Sequence, residues 1–469
     1  MRDDTARKHE RLALQGGMKA VSGFAGRGEP KIGPEEFLSV AERFGLSERA
    51  LASIRAVLDE ENFGQGPFLA NYYSGLEETK VEAYQRVACE TFGVPYAIGV
   101  CSGTAALHAA FVAVGVGPGT EVICPAIGFM ATAAAVLMAR GVPVFCDVDD
   151  SLSMDPKALE VAITPRTVAV APTCVMGSVP DMPAIMAVAR RHGLKVVEDC
   201  AQSCGGSVDG RYVGTFGDAG CFSISAYKII GGGEGGLLLT SDEDVWARAG
   251  QLIECGGLWR PDRFAPPRWA GELFAGTNYR MSELEAAVDV VQLGKIHEKV
   301  RRFRAVKRRI LSRLRPCREI TPQRLNDGDG EVGYMLRFFP DAIDLAVRIV
   351  EALKAEGVGC STRGHTPGHD WHIYHDMYPI IERAGATDVC CPYECPVYTD
   401  RGGAIRYARG DCPVADDLYD RMVTVQLNQW FTDGDCDNVA GAMNKVFDAY
   451  CTPDADAAPW LTRRTHRDD

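Results

Sequence analysis

What the chain lacks narrows its function before any motif is read. No uninterrupted apolar stretch reaches the length of about 20 residues that a membrane-spanning helix needs, and the opening Met-Arg-Asp-Asp-Thr-Ala-Arg-Lys leads into no signal-peptide core. A cytoplasmic protein is therefore expected, without a membrane as partner. Positive charge is in deficit, with 50 Lys and Arg against 63 Asp and Glu and a net charge of −13. That balance argues against a nucleic-acid backbone as the main partner, while leaving room for a local basic pocket that holds an anionic substrate. Internal repeats and low-complexity tracts are absent. Cysteine is plentiful at 17 residues, but zinc-ribbon spacing is missing: Cys390, Cys391 and Cys395 have no second pair to complete a site. Cys124, Cys146 and Cys221 fall inside apolar runs, where a reduced thiol packs as a small hydrophobe.

What is present is an ordinary globular composition, 46% hydrophobic and 24% charged, on 469 residues, enough for two or three domains and a sizeable core. Residues 1–60 read as a helical lead-in, with Pro34 opening one helix and Ser47 capping another. From about 80 to 245, helix and strand patterns alternate. Strands are expected at 96–100, 121–124, 142–148, 167–171 and 195–198, and helices at 81–92, 102–114, 129–139 and 156–163, with a further one capped by Asp181. Such alternation with apolar strands predicts an α/β fold, a mostly parallel sheet covered by helices on both faces. One long amphipathic helix is expected from Ser282 to about Leu314. Residues 316–452 read as a smaller α+β domain, with a strand at 334–339 and helices at 342–356 and 435–450. Within it, 360–410 reads as a long ordered loop, a candidate lid, and 453–469 as a frayed tail.

The most telling stretch is 221–236, Cys-Phe-Ser-Ile-Ser-Ala-Tyr-Lys-Ile-Ile-Gly-Gly-Gly-Glu-Gly-Gly. It places Lys228 just past a strand-like run and walls it in with glycines. Desolvation can lower such an amine towards neutrality and free it to form a Schiff base. Asp199 closes another apolar run, at the strand end where ligands of open α/β sheets bind. An acid and a lysine so placed are the two groups that pyridoxal phosphate chemistry needs. Ser102, Gly103 and Thr104 lie between a strand and a helix, where free N–H groups and a positive dipole end can hold a phosphate. Gln202 can hydrogen-bond a ring oxygen or cover a ring face, and Phe129 can stack on a ring. Each of these residues also has an ordinary role available, as turn, cap or core. Gly231, Gly233 and Gly236 match a dinucleotide-binding spacing, but Leu-Leu-Leu-Thr follows as strand where that fingerprint needs a helix. His365, His369, His372 and His375 crowd one loop; without a metalloenzyme motif, no metal is expected, and a substrate-facing or packing role suits one or two of them better.

Together these segments resemble the DegT/StrS group of sugar and aminocyclitol aminotransferases, which are fold-type I pyridoxal phosphate enzymes. The resemblance runs from about residue 60 to 310 and more faintly to about 450. It implies a large cofactor-binding domain over 61–315 and a small C-terminal domain over 316–452. Ser102-Gly-Thr-Ala-Ala-Leu107 resembles the family's phosphate turn, and Pro125 to Thr132 the segment whose aromatic residue, here Phe129, stacks on the cofactor. Glu198-Asp199-Cys-Ala-Gln202 resembles the segment with the acid on the pyridine nitrogen. Ser223 matches a phosphate-binding serine and Lys228 the Schiff-base lysine. Gly276-Thr-Asn278-Tyr-Arg280-Met resembles the motif whose asparagine reaches the neighbouring subunit's phosphate, which implies a homodimer with shared sites. Arg280 and His365 are candidates for substrate contact.

The activity so implied is ping-pong transfer of an amino group from glutamate or glutamine to a nucleotide-linked keto-sugar, a cyclitol ketone or an eight-carbon keto-sugar acid. Two departures bear on substrate: Cys174 stands where the family often has histidine, and 360–410 looks closer to the branch acting on eight-carbon keto-sugar acids. A sugar dehydratase on the same scaffold would carry histidine in place of Lys228, and a regulatory or scaffold homologue would not need the complete cofactor set.

Overall fold

The computed structural model describes residues 11–21, 23, 30–64, 66–70, 76–256, 274–365, 368–385 and 391–461. Two compact units are present, residues 1–69 and 70–469. In the first, the helices Pro34–Glu42 and Glu48–Leu58 pack on each other. Pro34 at the first turn costs no hydrogen bond, because that N–H would be unpaired anyway. Glu36 turns back to accept from the Gly33 N–H at 2.8 Å, and Ser47 Oγ accepts from the Ala50 N–H at 3.3 Å.

The second unit is built on two sheets. Strands β1 (Tyr96–Val100), β2 (Glu121–Pro125), β3 (Val142–Cys146), β4 (Thr167–Val170) and β5 (Lys195–Asp199) alternate with helices. A short hairpin, β6 (Ser207–Val208) and β7 (Arg211–Tyr212), precedes β8 (Ala219–Ser223) and β9 (Gly236–Thr240). The seven long strands run in the order β1-β9-β8-β5-β4-β2-β3, with β9 antiparallel to both neighbours and every other pair parallel. Helices cover both faces, so β2 and β9 are buried along their length rather than alternately. On one face, Ile98, Val122, Val197 and Leu238 pack against the helices Gly103–Ala113, Ala131–Met138 and Glu243–Ile253. On the other, Ala97, Ile123, Val196 and Leu239 pack against Lys80–Phe92, Met182–His192 and Glu283–Leu293. This two-sided cover puts the carboxyl ends of β1, β2, β5 and β8 on one edge of the layer, where loops can meet a ligand.

The second sheet is antiparallel, β10 (Ile320–Pro322), β11 (Met335–Pro340), β12 (Cys360–Thr362) and β13 (Val423–Gln426), in the order β10-β11-β13-β12. Helices Ile343–Ala355 and Asp433–Tyr450 close its core through Leu353, Met443 and Phe447.

Two expectations change. The single helix expected over 282–314 is two, Glu283–Leu293 and Ile296–Leu311. Gly294 is the reason: it is a poor helix former, and the Lys295 N–H bonds back to Gln292 at 3.0 Å in a tightened turn. The 360–410 segment is not plain loop, since it carries β12, a turn at Tyr374–Asp376 and the short helices Tyr378–Ile381 and Pro396–Thr399. Cys390 and residues 462–469 of the expected tail lie outside the described residues. No helix among the described residues is long and apolar enough to cross a membrane.

Candidate active site

Glu198 and Asp199 are neighbours at the end of β5, both buried, and the alternation of a strand sends them to opposite faces. Glu198 accepts from three backbone N–H groups, Gly214 at 2.7 Å, Phe216 at 2.6 Å and Gly217 at 2.7 Å, and so fastens the turn before β8. Burial pushes its carboxyl up to about 7, with those three donors opposing the shift. Asp199 accepts instead from the Thr132 hydroxyl and from the Ala201 N–H at 3.1 Å. Burial raises its pKa as well, while the Thr132 and Ala201 bonds and the charge of Lys228 pull it down. Thr132 was not singled out as a site residue in the sequence; only its place at the end of the Pro125–Thr132 segment hinted at it.

Lys228 sits in the loop between β8 and β9, which folds on itself through Ile224 N–H to Gly235 O and Ala226 N–H to Gly233 O, both 2.9 Å. The glycines are needed for that closure: a Cβ at Gly231 would lie 2.3 Å from Ser225 O, and Gly233 adopts φ +141°. Burial lowers the Lys228 pKa, with Asp199 opposing the shift. The acid and the amine therefore share one electrostatic site, each favouring the other's charged form.

Ser102 caps the helix after β1, its Oγ accepting from the Ala105 N–H at 3.1 Å. The N–H groups of Gly103 and Thr104, in the first turn, have no acceptor that the helix can supply. Strand register brings Ser223 to the same place, since Val100 and Ser223 both pair with Gly236. Contact is so close that a Cβ on Gly103 would sit 2.7 Å from Ser223 Cβ. These two N–H groups and the hydroxyls of Ser102 and Ser223 form a donor set suited to a phosphate at a helix start.

The opposite wall comes from far along the chain. Residues 371–374 run beside 126–130: Gly128 N–H to His372 O, Met130 N–H to Trp371 O and Tyr374 N–H to Ala126 O are each 2.9 Å. This pairing sets the His372 ring 5.2 Å from the Phe129 ring. His372 Nδ1 lies 2.9 Å from Asp370 Oδ1, and Tyr419 OH donates to Asp370 Oδ2 at 2.6 Å. Burial alone would raise the Asp370 carboxyl, but those two partners outweigh it and hold it at about 2. Lys228, Gln202, His372, Lys299, Tyr334 and Gln429 are among the residues lining a cavity of about 470 Å³ between the walls.

The structure thus brings together Lys228, Asp199 and Gln202, and separately Ser102, Gly103, Thr104 and Ser223 at the neighbouring strand ends. Phe129 is 40% exposed beside His372. Gln202 Oε1 is held by the Met176 N–H at 2.7 Å. Asn278 is exposed, accepting from the Arg280 N–H at 3.2 Å, and Arg280 bridges Val100 along the outer edge of β1. Neither lines the cavity, nor does His365, whose Nε2 lies 2.7 Å from Asp344 on an exposed surface. The crowded histidines go to separate partners: His369 packs on Tyr378, His375 lies 2.9 Å from Asp376, and only His372 reaches the cavity. Among the described residues, no group of three or more His, Cys, Asp or Glu is placed to hold a metal ion.

Comparison with known proteins gives a consistent result. Residues 71–392 match the model of the DegT/DnrJ/EryC1/StrS aminotransferase family. A UDP-N-acetyl-3-dehydro-alpha-D-glucosamine 3-aminotransferase of Acidithiobacillus ferrooxidans is 38% identical over 248 residues, 52% of this chain and 61% of that protein. The match therefore spans about three fifths of that relative's length. An L-glutamine:scyllo-inosose aminotransferase of Streptomyces griseus is 34% identical over 421 residues, 86% of this chain and 92% of that one. A Bacillus subtilis protein solved with bound cofactor PMP shares the fold at a TM-score of 0.63, with 23% identity, covering 86% of this chain and 83% of that one.

Proposed function

This chain belongs to the DegT/DnrJ/EryC1/StrS aminotransferase family, and on that premise we propose that it is a pyridoxal 5'-phosphate-dependent aminotransferase. It moves an amino group from glutamine or glutamate to a keto or aldehyde carbon of a sugar or cyclitol. The observation that carries this reading is the desolvated Lys228 amine facing a cavity and coupled to the buried Asp199 carboxylate. The residues present fit the cofactor at both ends. Ser102, Gly103, Thr104 and Ser223 would hold its phosphate, and Asp199 would hold a proton on its pyridine nitrogen. Phe129 would lie against a ring face and Gln202 beside the ring. When bound, the cofactor supplies an electron sink that stabilises negative charge on the carbon losing its proton.

The lowered pKa of Lys228 increases the fraction of neutral amine, which can act as nucleophile and then as the base that takes a proton from the donor Cα. Thr132 and the Ala201 N–H favour the charged form of Asp199 in a site whose burial opposes it. His372, with Nδ1 occupied by Asp370, has its other ring nitrogen available to a hydroxyl or carbonyl of the acceptor. The test is the visible spectrum of the purified protein during addition of L-glutamine and then L-glutamate, with Lys228→Ala as control. A cofactor band that bleaches with one donor in the wild type and not in the variant is expected. No band, even after pyridoxal phosphate is added, would overturn the proposal.

The acceptor follows the relatives only as far as their names go, a UDP-linked keto-sugar for one and scyllo-inosose for another. An eight-carbon keto-sugar acid stays within the same class. Exposed Asn278 and the fully exposed Tyr227, next to Lys228 in its loop, support a homodimer in which Asn278 serves the partner's phosphate. Mixing Lys228→Ala with Asn278→Ala subunits then rebuilds one intact site per heterodimer, for roughly a quarter of wild-type activity under random assembly. Activity no greater than that of the separate variants would exclude shared sites.

A further inference from the structure

Lys299 and Lys307 stand on the same helix, and their surroundings differ in a way that the reaction so far does not use. Lys307 is buried and paired with Glu331, Nζ to Oε2 at 2.7 Å, as a buried ammonium should be. Lys299 is half-buried in the wall of the Lys228 cavity, and its Nζ donates only to neutral oxygens, Ile229 O at 3.0 Å and Gln292 Oε1 at 2.9 Å. No carboxylate among the described residues lies within ion-pair reach of it. An ammonium carries three donors, so one N–H is left over. Desolvation, and then the nearby Lys295, lower its pKa, the response of a cation short of negative charge. Its bond to Ile229 O places it one residue from Lys228, and the same wall carries Gln429, whose buried Oε1 has no partner.

A chain with a net charge of −13 does not lack carboxylates to neutralise a lysine. Leaving one unpaired in a cavity of about 470 Å³ has a cost that an incoming anion removes. We infer that Lys299 is the anion-recognition residue of this cavity, taking a substrate carboxylate through its remaining N–H. The inference rests on the aminotransferase reading and deepens it. A ping-pong enzyme admits two small molecules in turn, so the carboxylate comes either from the amino donor or from an acidic acceptor. Met176, Phe303, Met335 and Leu427 line the same cavity, and apolar surroundings lower the local dielectric and strengthen such a contact.

The test compares wild type with Lys299→Met, Lys299→Arg and, as control, Lys354→Met, which removes an exposed lysine outside the cavity lining. In one arm, L-glutamine and L-glutamate are titrated against the cofactor band. In the other, turnover is measured with neutral scyllo-inosose and with an eight-carbon keto-sugar acid. Lys299→Met should raise half-saturation about tenfold or more for the substrate whose carboxylate is read, with little change in limiting rate. Lys299→Arg should recover most of the loss, and scyllo-inosose and Lys354→Met should show no change in acceptor half-saturation. An effect in the donor arm identifies the amino donor as the source, and one confined to the acid acceptor identifies the acceptor. Calorimetric binding of glutarate, which needs no reaction, should weaken about tenfold in Lys299→Met. If the wild type fails to bleach with either donor, the aminotransferase proposal falls, while glutarate still reads Lys299 directly. Unchanged glutarate affinity and unchanged half-saturation in both arms would overturn the inference.

Discussion

In the wall that carries Lys228, each proposed cofactor residue from Ser102 to Lys228 stands within a few residues of a strand end: Ser102 after β1, Phe129 after β2, Asp199 at the end of β5 and Ser223 at the end of β8. The wall that carries His372 is made differently. It depends on residues 371–374 laid against 126–130, and on Tyr419 held to Asp370. The first wall is anchored to the sheet, with its side chains at strand ends or in the short loops that leave them. The second is joined to the sheet only through its pairing with 126–130 and through hydroxyl and carboxylate contacts. A scaffold of this kind fixes one ligand and leaves room to vary the other, which is how one cofactor serves many acceptors.

The most severe way to break this comparison is to distort the anchored wall without touching a catalytic group. Gly103→Ala drives a Cβ to 2.7 Å from Ser223 Cβ, at the seam where the proposed phosphate site forms. Neither partner retreats freely, because Ser223 is held in the register of β8 and β9 and Gly103 is the first residue of the helix Gly103–Ala113. Overpacking of this kind costs about 1–3 kcal/mol. Cofactor affinity should fall at least tenfold and the melting temperature should drop by several degrees. A variant that keeps both would show that the seam is looser than the structure makes it.

Thr132→Val is a milder cut in the same wall. It removes the hydroxyl that Asp199 accepts from and leaves the shape nearly unchanged. Hydrogen bonds to charged groups contribute about 1.5–3 kcal/mol, so cofactor binding should weaken about tenfold or more, read by fluorescence or dialysis. The Asp199 carboxyl, already raised by burial, would rise further, so the loss should be greatest at low pH and shrink as pH increases. A pH-independent loss would point to packing instead.

These two residues also show what the sequence could and could not reveal. The positions of Lys228, Asp199, Ser102 and Ser223 near strand ends are legible because such a position leaves a local mark: an apolar run, then a polar residue, a cap or a glycine. Thr132 left no such mark, since its partner lies 67 residues away. Adjacent Glu198 and Asp199 look equivalent as letters and differ only through the face of β5 that each occupies. His365 drew attention and His372 proved to be the cavity residue, because their selection depends on a pairing that joins positions separated by more than two hundred residues. The break at Gly294 was hidden by an apolar stripe that continues across it.

The smallest expected effect is the one that best separates the two walls. Asp370→Asn keeps the volume of the side chain that orients His372 but removes its charge and replaces one acceptor with a donor. Cofactor affinity and the donor half-reaction should be unchanged, whereas half-saturation by the acceptor should rise about three- to tenfold. Stability provides a second readout with a definite sign. The carboxyl is held at about 2 in the folded protein because His372 and Tyr419 outweigh its burial, below its unfolded value of about 3.9. Its stabilisation is therefore complete above about pH 5 and disappears as pH falls from there towards 2. Part of the side chain is exposed and solvent screens it, so the difference in urea midpoint should correspond to no more than about 1 kcal/mol at pH 7. It should narrow between pH 5 and 3. A defect that appears equally in the donor half-reaction would mean that the far wall supports the cofactor as well, and the division between a fixed and a variable wall would not hold.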